Sequence, residues 1–201
     1  ASVKVNTVWD VLISLGAVFF FAAPTFWLGI MLIIVFSVKL GWLPVGGMAT
    51  IGVDYGLVGN VLDVAEHLIL PAVSLGLFYA AIYTRVMRAS MLEVFALDFV
   101  RTARAKGLSY PRVVLAHVFR NALLPVVTLL GLQLGTVLGG SVVIEAVFSW
   151  PGIGSLMLDS VMSRNYPVVL GVFVLSAVVV AVCNLLVDMA YYKLDPRIRA
   201  R

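Results

Sequence analysis

Long runs of apolar residues with no charge in their middles constrain this chain more than any motif does. Crossing the hydrocarbon core of a bilayer takes about 20 consecutive apolar residues as a helix. Four stretches meet that requirement, at residues 11–38, 67–87, 121–144 and 168–191. The chain is 62% hydrophobic and 12% charged, with a mean hydropathy of +1.09. That is more apolar surface than 201 residues can hide in one water-soluble core, so lipid must take up the excess. The expected fold is all-α, a polytopic transmembrane helical bundle. The Val-rich fourth stretch, with Val178, Val179 and Val180, would suggest a strand in water. In lipid an open strand leaves its backbone unpaired, and barrel strands are about half as long and alternate in polarity, so a helix is expected there too.

The first run exceeds the hydrocarbon thickness at about 1.5 Å rise per residue, so it must tilt, kink or protrude. Pro24 removes one backbone donor and is the natural kink point. Pro71 is expected in the first turns of the second span, where a missing N–H costs little.

Basic residues favour the cytoplasmic side. The segment between spans two and three carries Arg85, Arg88, Arg101, Arg104, Lys106, Arg112 and Arg120, and the tail carries Lys193, Arg197, Arg199 and Arg201. Both are placed inside. The other two connections hold only Lys39 and Arg164 beside Asp54, Asp63, Glu66, Glu145 and Asp159, and are placed outside. Both ends of the chain then lie on the cytoplasmic side. The net charge of +4 therefore speaks for orientation and anionic headgroups rather than for nucleic acid. Cys183 has no partner for a disulfide, and His67 and His117 lack the cluster a metal site requires, so structural roles are expected for them. No cleavable signal peptide is expected, because the first apolar run is too long and no small-residue cleavage site follows it.

The inside segment, about residues 88–120, is too long and too patterned for a simple turn. Met91, Leu92, Phe95, Ala96 and Phe99 share a face, which predicts an amphipathic helix from Ser90 to Val100. Residues Arg101, Thr102, Ala103, Arg104, Ala105 and Lys106 end at Gly107, the residue type best able to take the left-handed conformation after a helix. Ser109 is a candidate N-cap with Pro111 in the first turn of the next helix. Two readings fit the spacing: a knob for a groove on a soluble partner, or a polybasic segment lying on anionic lipid.

The stretch from Arg101 to Ser109, followed by Arg120-Asn121-Ala122-Leu123-Leu124-Pro125, resembles the EAA loop of ABC importer permeases in the dipeptide, oligopeptide and nickel branch. Ala103, Gly107, Leu124 and Pro125 match the family pattern. Arg101 and Thr102 replace the Glu-Ala that gives the loop its name, and Ala122 replaces an Ile, departures that resemble the peptide branch. Residues 24–29, the run from Phe148 to Gly154, and the tail from Leu194 to Arg199 support the same assignment. The resemblance implies a permease subunit that forms half of a peptide translocation pathway, with nickel or another small solute as the alternative cargo. It also implies a homologous second permease in a heterodimer, two ATP-binding subunits and an extracytoplasmic substrate-binding protein, in the bacterial inner membrane. Arg101 to Gly107 would be the coupling helix. ATP and Mg would sit on the partner subunits, since the chain has no phosphate loop, and no catalytic residue or bound cofactor is expected in the chain itself. Permeases of this branch usually have two further spans and a large external region first, so the sequence reads as a fragment.

In the third span Gly131, Gly135 and Gly139 recur at four-residue spacing, with Gln133 and Thr136 as polar neighbours. Such a stripe lets another helix approach closely. It serves either the permeation path beside a sister permease or packing within the chain. Outside, residues 145–167 are too polar and too broken by Pro151, Gly152 and Gly154 to cross. Short helices with Trp150 as an interfacial anchor are expected, and in the family this region resembles an external gate. Glu145 either pairs with Arg164 or touches substrate. The rival from another class, an ion-coupled secondary transporter, generally needs ionisable groups at membrane depth, and the middles of the four spans have none. A purely structural membrane subunit would not need the glycine-cornered loop.

Overall fold

The computed structural model describes residues 7–138 and 141–194, with side chains left aside at 134–138 and 190–194. Among the described residues the regular structure is entirely helical. In chain order it comprises α1 (Val8–Ala22), α2 (Thr25–Leu32), a π-helical segment (Ile33–Lys39), α3 (Gly56–Phe95), α4 (Asp98–Ala105) and α5 (Tyr110–Arg112). A second π-helical segment (Val113–Phe119), α6 (Arg120–Leu138), α7 (Val142–Val147), α8 (Ile153–Met162) and α9 (Tyr166–Leu194) follow. Three stretches have the length and composition to cross a membrane: Gly56–Phe95, Tyr110–Gln133 and Tyr166–Met189. The pair formed by Val8–Ala22 and Thr25–Lys39 makes a fourth if it counts as one span, but it is bent by 105°.

Pro24 interrupts the first run at the expected kink point, whereas Pro71 departs from its expected place. Pro24 does more than kink the first run: α1 stops at Ala22, Pro24 is extended (φ −58°, ψ 136°), and α2 restarts with the Leu28 N–H bonded to the Pro24 carbonyl. Pro71 does not sit in the first turns of its helix but well inside the 40-residue α3. A buried proline can remain there because in lipid the backbone's only good partner is the rest of the helix, so losing one bond does not end it.

The third span also differs from the expected 121–144. Its helical run begins at Tyr110 and ends at Leu138, and Ile144 belongs to the separate helix α7. Hydropathy alone cannot see this end, since Val142, Val143 and Ile144 are as apolar as the span itself. Ile144 is buried against Leu70 and Phe148.

Contacts divide the described chain into one unit of residues 7–19, 80–136 and 178–194, and another of residues 20–79, 137–138 and 141–177. In the first, Met91, Val100, Ala103, Val113, Val114, Val118 and Ala122 form a continuous buried cluster, with Met87, Val94, Phe95 and Leu108 against it. Val113 and Val118 are both fully buried although five residues apart. In an α-helix that spacing would separate them by about 140° around the axis. The π-helical segment, with its i→i+5 bonding, brings them to the same side.

The second unit is centred on Phe148, 1% exposed, which packs with Leu70 and Ile144 and is flanked by Leu32, Ile33, Phe36 and Leu43. The Phe148 carbonyl accepts the Gly47 N–H at 2.8 Å. A Cβ at Gly46 would lie 2.6 Å from that same oxygen, so the loop can pass there only without a side chain.

Candidate functional site

The basic segment of residues 88–120 is folded as an outward-facing helix over an apolar base. Helix α3 continues to Phe95, and the chain breaks at Ala96 and Leu97 before α4 begins with Asp98 in its first turn. The expected single helix from Ser90 to Val100 is therefore split. The break lets Met91 from α3 and Val100 and Ala103 from α4 enter one core, which a straight helix would not allow. Phe99, expected on the same face as Met91, is instead 41% exposed, because Val100 takes the inward position.

Of the seven residues from Arg101 to Gly107, Ala103 alone is buried, and the other six are exposed. An alanine suits that one inward position, since it fills the space under α4 without pushing the helix off its base. Arg101 pairs with Asp98 at 3.3 Å on the surface, and the Thr102 hydroxyl donates to the Asp98 carbonyl. The Arg104 guanidinium lies 5.6 Å from the centre of the Phe95 ring, which orients it without removing it from solvent.

The helix ends as a Schellman motif. Gly107 takes φ +76°, its N–H donates to the Arg104 carbonyl at 2.9 Å, and the Leu108 N–H reaches the Ala103 carbonyl at 3.4 Å. Leu108 packs against the cluster that contains Ala103, completing the hydrophobic contact typical of this cap. Ser109 occupies the N-cap position of α5, with Pro111 in the first turn, but its hydroxyl makes no capping bond; the backbone alone starts the helix.

Sequence reasoning missed an ion pair in the same unit. Asp10 of α1, 3% exposed, accepts from Nε and Nη2 of Arg88 at 2.9 Å each, a fork between residues 78 positions apart. Asp10 stands one residue before the first charge-free run, and nothing in its spacing points to Arg88. Beside the pair lies a groove of about 420 Å³.

The third-span glycines divide. A Cβ at Gly131 would meet both γ-methyls of Val187 at 2.9 Å, so Gly131 serves close packing of α6 on α9 of the same chain. Gln133 follows on the same helix and is half-buried. Gly135 and Thr136 lie in the last turn of α6, and Gly139 lies outside the described residues.

In the segment of residues 145–167 Glu145 forms no ion pair with Arg164. Its buried carboxylate turns back on its own loop and accepts the N–H groups of Gly154 and Ser155. These are donors left open at the first turn of α8, where the helix dipole also favours a negative charge. Gly152 makes room for this, since a Cβ there would collide with the Glu145 carboxylate, and a Cβ at Gly154 would lie 2.9 Å from Val142. Trp150 is half-buried, with its N–H on the Glu145 carbonyl at 2.8 Å, and Pro151 is exposed.

Residues 1–200 match the family described as binding-protein-dependent transport system inner membrane component. The chain is 49% identical to the oligopeptide transport system permease protein AppB of Bacillus subtilis (strain 168), over 88% of its own length and 55% of that relative. It is 47% identical to the di/tripeptide transport system permease protein DppB of Pseudomonas aeruginosa (strain UCBPP-PA14), over 89% of the chain and 57% of the relative. With the dipeptide transport system permease protein DppB of Escherichia coli (strain K12) it shares 42% identity, over 99% of the chain and 64% of the relative. The chain thus spans less than two thirds of the length of these curated relatives. A match across nearly every residue, on an all-helical fold with membrane-crossing stretches, makes the chain a member of the family of binding-protein-dependent transport system inner membrane components.

Proposed function

We propose that the protein is a permease subunit of an ATP-driven importer, forming half of the pathway that carries peptides across the cytoplasmic membrane. The observation that carries this reading is identity of 42% to 49%, over most of the chain, to permeases whose names specify oligopeptide, di/tripeptide and dipeptide transport. The exposed face of α4 supplies the contact with an ATP-binding subunit: six solvent-facing residues, Arg101, Thr102, Arg104, Ala105, Lys106 and Gly107, stand on a base fixed by Val100 and Ala103. A short helix rigidly capped on such a base can pass on a rigid-body motion. ATP and Mg belong to two such partner subunits. A homologous second permease completes the pathway, and an extracytoplasmic binding protein delivers peptide to the side bearing α7 and α8. Both ends of this chain and α4 face the cytoplasm.

The test is purification of the whole transporter from its native host in mild detergent, with mass spectrometry of what accompanies the permease. An ATP-binding protein and a second permease should appear together, and cells lacking the permease should lose uptake of a labelled dipeptide while keeping Ni(II) uptake. Finding neither companion would overturn the importer reading, and loss of nickel uptake alone would overturn the cargo. Orientation is tested by a cysteine at Thr102, which an impermeant thiol reagent should label only from the inner side; the native Cys183 is buried and leaves a low background.

A further inference from the structure

The groove beside Asp10 and Arg88 combines features that no contact described so far uses. Its wall is mainly apolar, built from Ile13, Met87, Phe119, Leu123 and Val126, and Tyr83, Thr84 and Arg88 complete the lining. Its volume of about 420 Å³ falls within the range of about 300–1,000 Å³ usual for pockets that hold small molecules. The guanidinium is held in place, since Nε and Nη2 are committed to the two oxygens of a buried Asp10. That fork fixes the plane of the group and leaves the two N–H donors of Nη1 outside it. A third of the Arg88 side chain is still exposed.

An oriented donor beside an apolar trough selects a ligand with an acceptor head and a long apolar body. The sign of the head follows from the surroundings. Asp10 and Arg88 cancel each other, and the rest of residues 80–136 carries six Arg and Lys against Glu93 and Asp98. Arg85 lies one turn before Arg88 on the same helix, and Arg120 directly follows Phe119. The remaining charge favours a net anion over a zwitterion, whose cation would face the basic segment. Pockets of this kind between membrane helices are suited to anionic lipid headgroups.

We propose that this groove is a binding site for an anionic phospholipid, with the phosphate on Nη1 of Arg88 and an acyl chain along Ile13, Met87, Phe119, Leu123 and Val126. The lipid would bridge α1, the inner part of α3 and the helical run that begins at Tyr110, and so brace the base on which α4 stands. Free phosphate offers the same head chemistry without any use for the wall.

The experiment uses the complete transporter in neutral detergent, titrated separately with phosphatidylglycerol, phosphatidylcholine and inorganic phosphate, and read by native mass spectrometry and thermal unfolding. Phosphatidylglycerol should be retained and should raise the unfolding temperature, while the other two do neither. Arg88→Lys keeps one charged bond to Asp10 and removes the Nη1 donors, so loss of a hydrogen bond to the phosphate should weaken phosphatidylglycerol retention by about five-fold. Leu123→Trp fills the trough without touching the ion pair and should abolish retention. Equal retention of phosphatidylcholine by the unaltered protein, or retention that survives both substitutions, would overturn the proposal. Displacement of the lipid by inorganic phosphate or by a transported peptide would reassign the groove to that ligand and overturn it as well.

Discussion

Replacing Gly107 isolates the conformational requirement of the corner after α4 from every steric one. The residue sits at φ +76°, and a Cβ built on it meets nothing within 4 Å. Any substitution there acts through the backbone alone. For a non-glycine residue the left-handed region costs about 1–2 kcal/mol, less for Asn, and more for a β-branched side chain. One to two kcal/mol is about a 5–30-fold change in an equilibrium. If the cap must be formed for α4 to engage an ATP-binding subunit, the apparent dissociation constant rises by the inverse of the fraction that keeps the corner. Gly107→Asn should weaken coupling slightly, Gly107→Ala by at most about 5–30-fold, and Gly107→Val by at least as much as Ala. The assay is peptide-stimulated ATPase activity and uptake in reconstituted transporter, with the ATP-binding subunit titrated. Asn proving as damaging as Val, or Val leaving uptake unchanged, would refute the reasoning.

Four other outcomes follow from the geometry. Glu145→Ala leaves the Gly154 and Ser155 donors without their acceptor and should lower stability by about 1–3 kcal/mol in thermal unfolding. Gly152→Ala should be harmful in the natural sequence and nearly neutral in the Glu145→Ala background, because the carboxylate it collides with is gone. Gly131→Ala drives a methyl against Val187 and should cost about 1–3 kcal/mol, with partial recovery in combination with Val187→Ala. In the loop before α3 the Gly56 N–H, and next the Asn60 amide, hold the exposed Asp54 carboxyl below its ordinary range. Its folded-state value is lower than its unfolded one, so the stabilisation is present above the unfolded value and lost as pH falls through the lowered one. The protection of the Gly56 amide, measured against the intrinsic exchange rate at each pH, should fall across that acid window, and Asp54→Asn should remove the dependence.

What the sequence made legible was what rests on local composition. Charge-free runs located the membrane-crossing helices, and Gly107 announced a left-handed corner because no other residue type takes that conformation as cheaply. The prolines were read less well. Whether a missing N–H breaks a helix, as at Pro24, or is absorbed, as at Pro71, depends on what packs around it, and only the folded chain supplies that. The end of the third span was hidden because Ile144 is equally apolar in a span and against Phe148. The fork between Asp10 and Arg88 was hidden for a different reason: pairing over 78 residues is decided by tertiary structure and leaves no trace in spacing. At Glu145 the neighbouring glycines were visible as loop breakers, but not as the space a buried carboxylate needs.

The widened turn between Val113 and Phe119 has a consequence for how the α4 corner is aimed. A stretch with i→i+5 bonds is, in effect, an α-helix carrying one residue too many, and each residue turns an α-helix by about 100°. The bearing of Gly107 relative to α6 is therefore set by how many residues lie between them, as well as by which ones. Excising a single residue from that interval would restore an ordinary helical phase and swing the corner by roughly a quarter turn. Every exposed side chain of α4 would survive the deletion, pointing in a different direction.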